Sequence, residues 1–346
     1  MPIMTSTPPS TDPRSDAQLA DSLVVSAVRV GLITAREVAA QAVELRGSAL
    51  LLHGQPIAYA RPRGLGGASG PATRELRSLR LLAETGLVPE VHGSGEGEVT
   101  WIAAVRGERL GGVGGTMAEL AEICRRWGAA IATLHLTGTG GPGGAPVAPR
   151  PWVLDPDRLP ATMRQAPPGS ARALVLRTLR GDRGLQRTVS RLADRWTAGH
   201  WTHGDLSEAH VLVQHLPDLQ VRFIDLRGAG LGDPGWDLAG ALEAVAELTD
   251  GPRGPWARAS AACLSDFLLH GYRRAGGSAT VESGTRALRI VSRAWEQAVE
   301  LDGSAAHPAS MHPAAGRPTE AGRLTERLGL ARELAARSAR TGLLAA

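Results

Sequence analysis

The sequence contains no lysine and no asparagine. All 38 of its basic residues are therefore arginine, so nothing in this chain can rest on a lysine ammonium or an asparagine amide. With 43 glycines, this bias reads as coding from a GC-rich genome. Cysteine is nearly absent. Cys124 and Cys263 lie far apart in helix-like patterns, which implies packing in a reducing compartment and argues against a disulfide framework. An excess of one charge is also lacking: the formal net charge of +4 is small for 346 residues, so neither nucleic acid nor a membrane surface is indicated as a partner. No apolar run approaches the ~20 residues that a membrane-spanning helix needs. The Pro-, Ser- and Thr-rich start has no apolar block behind a basic segment, so residues 1–20 read as a disordered tail and not as a signal peptide. A cytoplasmic location is the expectation. No internal repeat is visible.

A hydrophobic content of 43% over this length is enough for two packed units. The spacing of Leu23, Val24, Ala27, Val28 and Leu32 predicts a helix from Asp21 to Arg36. Ala49–Leu52 and Pro56–Ala60 then flank His53-Gly54-Gln55 as the arms of a β-hairpin. Residues 63–71 are Gly-rich and predict a mobile loop, and residues 72–85 have helical periodicity. Glu75 falls on the apolar stripe of that helix with Leu79 and Leu82, and a buried carboxylate needs a cation; Arg61, at the end of the preceding strand, is the nearest. Residues 99–105 read as a strand, followed by the polar connection Arg106-Gly107-Glu108-Arg109. The texture turns helical beyond it. The expected division is thus a small lobe over 21–105 and a larger helical one over 106–346. Helices are predicted at 118–136, 171–198, 237–249, 256–275, 284–301 and 319–341.

The chemistry concentrates between residues 201 and 239. Two short apolar runs flank a turn at Leu216-Pro217-Asp218, which makes them an antiparallel hairpin and sets position 210 opposite position 225. His210 should then lie beside Asp225, with Asp205 entering the same end. Two carboxylates and a histidine so placed can hold a metal and handle a proton. His200, His203, His210 and His215 form a local histidine run, but their spacing matches no structural zinc pattern.

The joined string His203-Gly204-Asp205, Ile224-Asp225, Gly232-Asp233-Pro234 and Asp237-Leu238-Ala239 resembles the aminoglycoside phosphotransferase and choline kinase-like family. The resemblance covers about residues 45–250. It implies an α+β, two-lobed, protein-kinase-like fold, with a small β-rich N-lobe carrying one main helix and a larger, mostly helical C-lobe. It further implies that ATP or GTP is used with Mg or Mn. Asp205 would accept a hydroxyl proton, His203 would brace the loop, Asp225 would bind metal, and Arg61 with Glu75 would meet the nucleotide phosphates. Asp233 and Asp237 read as structural residues near a helix start.

Two departures stand out. His210 occupies the position of the family's metal-binding Asn, and Arg61 that of the strand Lys. Magnesium prefers oxygen ligands, whereas imidazole suits zinc, nickel or iron. Arg46-Gly47-Ser48 is the only candidate for a glycine-rich phosphate loop. Two readings stay open: a phosphotransferase acting on a hydroxyl of a small molecule or of a peptide Ser/Thr, as in natural-product or ribosomal-peptide biosynthesis, and a catalytically degenerate kinase-fold protein that binds a peptide or a biosynthetic partner enzyme. An aminoglycoside is disfavoured, because a polycation needs a carboxylate-rich pocket and residues 172–195 are rich in arginine. Most of those arginines read as a solvated helix face, and an anionic molecule or acidic peptide suits them better.

Overall fold

Between residues 43 and 62 the chain alternates short apolar runs with tight turns, and it folds there as a meander of β1 (Val43–Arg46), β2 (Ala49–Leu52) and β3 (Gln55–Pro62). The structure is a computed structural model describing residues 13–62, 70–93, 99–139, 144–156, 166–215, 218–250, 255–257, 259–305 and 320–344. His53 and Gly54 both take positive φ, 51° and 76°, as a two-residue primed hairpin turn requires. The expected hairpin is therefore present. Arg46 pairs with Ala49, which reduces the Arg46-Gly47-Ser48 segment to a second two-residue turn. β4 (Val91–His92) and β5 (Val99–Ala103) complete a five-stranded antiparallel sheet in the order β1-β2-β3-β5-β4.

The first helix departs from expectation. α1 (Pro13–Arg29) begins well before Asp21, so residues 13–20, expected in the disordered tail, are helical, while the rest of that tail lies outside the described residues. Leu23 and Ala27 bury against Ile33, Leu50 and Trp101, and this contact anchors α1 on the sheet. The helix also ends before Arg36. Thr34 instead starts α2 (Ala35–Ala39) with a reciprocal capping box to Glu37. Residues 63–69 of the predicted mobile loop lie outside the described residues, and α3 (Pro71–Leu82) follows.

From residue 106 onward helices dominate. The polar connection contains β6 (Glu108–Arg109), a short strand where the sequence pattern predicts only a link; it pairs with β8 (Val211–Gln214), which pairs with β9 (Gln220–Phe223). β7 (His200–Thr202) pairs separately with β10 (Gly230–Gly232). α4 (Met117–Leu136) starts at a Thr116–Glu119 capping box and buries Ile123, Trp127 and Ile131.

The predicted helix over 171–198 is two helices, α5 (Ala171–Gly181) and α6 (Arg183–Arg195). Asp182 causes the break, because its Oδ1 accepts the amides of Gly184 and Leu185 at 2.8 and 2.9 Å and caps the second helix. α7 (Pro234–Asp250), α8 (Ala261–Arg274), α9 (Ser283–Ala305) and α10 (Glu320–Leu344) follow. One core joins α3, α4, α7, α8 and the β8–β9 hairpin, and a second joins α5, α6, α9 and α10. Part of the arginine-rich face is structural: Arg172 pairs with Asp302 of α9 at 2.7 Å, Arg195 with Glu282 at 3.0 Å, and Arg191 with Ser338 of α10. Among the described residues, no helix is long and apolar enough to cross a membrane.

Candidate active site

The β8–β9 register pairs Val211 with Phe223, and the Ile224 amide donates to the His210 carbonyl at 3.0 Å. Position 210 thus faces 224, one residue short of the expected 225. Asp225 recovers the difference by turning into the left-handed region, φ 63°, which brings its Oδ2 to 3.5 Å from His210 Nε2. Aspartate is among the non-glycine residues that enter this region most readily, as His53 does in the β2–β3 turn, at a modest cost in backbone strain.

The loop carrying His203 and Asp205 is fixed from below. Asp237, fully buried at the start of α7, accepts the amide of His203 at 2.6 Å through Oδ2 and that of Gly204 at 2.9 Å through Oδ1. Its role is therefore larger than the helix-start function expected, while Asp233 does cap α7 by accepting the Gly235 amide at 2.8 Å. Gly204 has φ 81°, and a Cβ there would collide with the Gly228 carbonyl, so only glycine lets the loop lie against the turn that follows Asp225.

His203 is a brace. Its Nε2 lies 2.9 Å from the Ile224 carbonyl and its Nδ1 3.3 Å from the Asp205 amide, which fixes the neutral Nε2–H tautomer. Burial, together with the neighbouring His210, pushes its pKa down. Its ring stacks on His210 at 5.8 Å between centroids. His210 in turn donates from Nδ1 to the Asp205 carbonyl at 2.9 Å, with Asp205 Oδ2 at 3.6 Å.

Asp205 keeps a side chain 27% exposed. Burial raises its pKa, but the opposing charges of Arg289 and then the histidines outweigh this and hold the carboxyl far below its ordinary range. Arg289 is the residue that sequence reading missed. It lies in α9, beyond the stretch covered by the motif, only 2% exposed. Its Nη2 reaches Asp205 Oδ1 at 3.3 Å and the Leu206 carbonyl at 3.1 Å, and its guanidinium lies 5.1 Å from the Trp236 ring centre. The only sequence signal was the spacing Arg286, Arg289, Arg293 on one helix face. Those neighbours bind Glu243, and Glu208 with Glu247, so α9 fastens both the loop carrying Asp205 and α7.

Beside His210 and Asp225 lies a cleft of about 840 Å³ between the five-stranded sheet and the hairpin, lined by Tyr59, Arg61, Glu75, Arg109, His210, Asp225 and Arg227 among others, with Asp205 outside its lining. Its volume lies within the range of small-molecule and cofactor sites. The expected Arg61–Glu75 pair is present at 3.1 Å, with Glu75 buried. Burial, then the nearby Asp225 charge, push the Glu75 pKa up against the pull of Arg61.

The metal expectation fares differently. Both carboxylate oxygens of Asp225 are engaged by Arg227, through Nε and Nη2. Burial raises the Asp225 pKa, but the Arg227 hydrogen bonds and charge prevail and lower it. His210 offers nitrogen in place of an amide oxygen. The set expected from Asp225 and His210 therefore does not fit a hard divalent cation such as magnesium.

Fold and site define a kinase-like phosphotransferase architecture, and sequence comparison agrees: the model of the phosphotransferase enzyme family (APH) matches residues 60–275. The chain belongs to this family. Among solved structures it is similar to LicA, a choline kinase from Streptococcus pneumoniae, in complex with AMP, at 15% identity over 86% of this chain and 91% of that one, with a TM-score of 0.50. It is similar to the Plasmodium vivax ethanolamine kinase at 12% identity over 88% and 86%, TM-score 0.50. An aminoglycoside phosphotransferase from Streptomyces rimosus matches at 17% identity over 80% and 98%, TM-score 0.45. At these identities the two likenesses with a TM-score of 0.50 establish the fold alone. Comparison with curated protein sequences returned no match.

Proposed function

We propose that this protein transfers the terminal phosphoryl group of ATP or GTP to a hydroxyl of a small molecule or of a peptide Ser/Thr. The carrying observation is Asp205, a partly exposed carboxylate whose loop is held by Asp237 beneath, Arg289 beside it and the His203–His210 stack behind it. The AMP named with LicA supports nucleotide use. Residues 21–105 then form the nucleotide side and 106–346 the substrate side.

In the reaction, Asp205 accepts the hydrogen bond of the acceptor hydroxyl and takes its proton as the oxygen–phosphorus bond forms. The bond from the γ-phosphorus to the β–γ bridging oxygen breaks, and the nucleoside diphosphate leaves. A carboxylate with so low a pKa is a weak base. Its main contribution is to aim the hydroxyl, which suits a loose transition state where positioning and charge stabilisation dominate. Arg61, held by Glu75, supplies positive charge towards the phosphates.

Glu243 and Glu247 on the substrate side already pair with Arg286, Arg293 and Arg327, whereas Glu296 and Glu300 line the cleft itself, so the lining does not select the charge of the acceptor. A role beside a partner enzyme in natural-product or ribosomal-peptide biosynthesis is compatible. The test is nucleoside diphosphate release with a panel of hydroxylated small molecules and Ser/Thr peptides. Turnover in the native protein that is lost in folded Asp205→Ala supports the proposal; equal turnover in both overturns it.

One observation favours a second reading. Arg227 neutralises Asp225, as expected of a degenerate kinase fold that binds a peptide or partner enzyme without catalysis. That reading predicts no nucleotide binding with or without divalent metal, while a purified partner co-elutes.

A further inference from the structure

Arg227 sits two residues beyond Asp225 in the short turn Leu226–Gly228, and its guanidinium grips both oxygens of that carboxylate. The geometry is a parallel fork, the strongest hydrogen-bonded form of this ion pair. Its position is not left to a loose loop. The Arg227 carbonyl is held by Arg74 Nη1 of α3 at 3.2 Å, and the turn packs on Gly204, whose missing side chain lets the Gly228 carbonyl approach. The backbone is thus clamped from α3 and from the loop carrying Gly204 together. Both partners are largely withdrawn from water, Asp225 at 18% and Arg227 at 30% side-chain exposure, so the pair is screened less than a surface bridge.

A guanidinium has five N–H donors, of which this fork uses two on Asp225. Arg227 lines the cleft, as Arg61 does, and the fork leaves three of its donors for another partner. A divalent ion seeking Asp225 would have to displace this cation and then accept an imidazole nitrogen from His210. Arg227 and the metal therefore compete for one position, and the sequence encodes the occupant.

We infer that Arg227 is a built-in cation standing where a kinase of this fold would hold a divalent metal, and that the cleft takes up the phosphates of a nucleotide without metal. The nucleotide half of this statement rests on the function proposed above; the Arg227 half does not.

The test is therefore done in two arms on the full chain. In the first, Mn²⁺ alone is titrated into nucleotide-free protein and followed by electron paramagnetic resonance. The native protein should bind no Mn²⁺ at this site, Arg227→Gln should gain a site at least about tenfold tighter, and adding Asp225→Asn should abolish the gain. In the second, ADP is titrated calorimetrically with EDTA or with Mn²⁺. The native affinity should change less than about twofold between the two, whereas Arg227→Gln should bind about tenfold more weakly in EDTA and recover with Mn²⁺. Should Arg227→Gln fail to fold, Arg227→Lys, which keeps the charge but loses the fork, is expected to bind ADP in EDTA more weakly than the native protein. Native Mn²⁺ binding that is lost in Asp225→Asn, or ADP binding by the native protein that strengthens about tenfold with Mn²⁺, overturns the inference. Absence of ADP binding in every variant removes the nucleotide reading, and the Mn²⁺ arm still decides the role of Arg227.

Discussion

Replacing Asp237 by Asn removes a single charge and almost no volume, and the geometry allows its effect to be worked out. Oδ1 and Oδ2 each accept one backbone amide, from Gly204 and His203, in a fully buried setting. An Asn side chain has one acceptor oxygen and one NH₂ group. If the oxygen keeps His203, the NH₂ faces the Gly204 amide, donor against donor. One charge-assisted bond of about 1.5–3 kcal/mol is lost and a buried N–H is left unsatisfied, so a net destabilisation of about 3 kcal/mol is expected. For a packed unit of this size, that corresponds to a fall in melting temperature of about 6–12 °C. Differential scanning calorimetry of native protein and Asp237→Asn measures it. A fall smaller than about 2 °C would mean that Asp237 is not the clamp of the His203–Asp205 loop, and the positioning of Asp205 through it would fail.

Further outcomes follow from the same contacts. Arg289→Met removes the main cation facing Asp205, so the Asp205 pKa must rise; the acid limb of the kcat/KM profile should move to higher pH, and an unmoved limb would show that Arg289 does not act on Asp205. His203, whose pKa is pushed down, binds fewer protons folded than unfolded as pH falls below its unfolded pKa of about 6.5, so its contribution to stability is present above that pH and lost as pH falls towards the folded value. Nitrogen NMR of the imidazole should show the neutral Nε2–H tautomer persisting below the ordinary midpoint of about 6.5, and titration at that midpoint would contradict the brace. Gly204→Ala should lower stability by about 1–3 kcal/mol in urea unfolding, because φ is positive and the new Cβ meets a carbonyl. His210→Asn, which restores an oxygen ligand, should still bind no Mn²⁺ by electron paramagnetic resonance, because Arg227 continues to hold Asp225.

The motif residues were legible because their relation is local. His203, Asp205, His210 and Asp225 lie within one loop and one hairpin, and the hairpin register was readable to within one residue. The Arg61–Glu75 pair was legible for a different reason: a carboxylate on an apolar helix stripe demands a cation, and one lay at the adjacent strand end. Arg289 was not legible. It reaches Asp205 from a helix far downstream, and only the packing of α9 on α7 decides which arginine of its face points inward. The Arg227 fork was close in sequence but depends on the left-handed backbone at Asp225, which no pattern of residue types displays. The break at Asp182 shows local chemistry overriding periodicity: the apolar spacing runs on through it, but the side chain caps the second helix.

The central claim is that the cleft between sheet and hairpin takes a nucleotide with Arg61 at its phosphates. Calorimetric titration of ATP into the full-length protein tests it most directly, alongside Arg61→Ala of verified fold. The account predicts one site per chain and binding at least about tenfold weaker in the variant. Neither heat nor thermal shift from native protein at millimolar ATP, or equal affinity in the two, would contradict it.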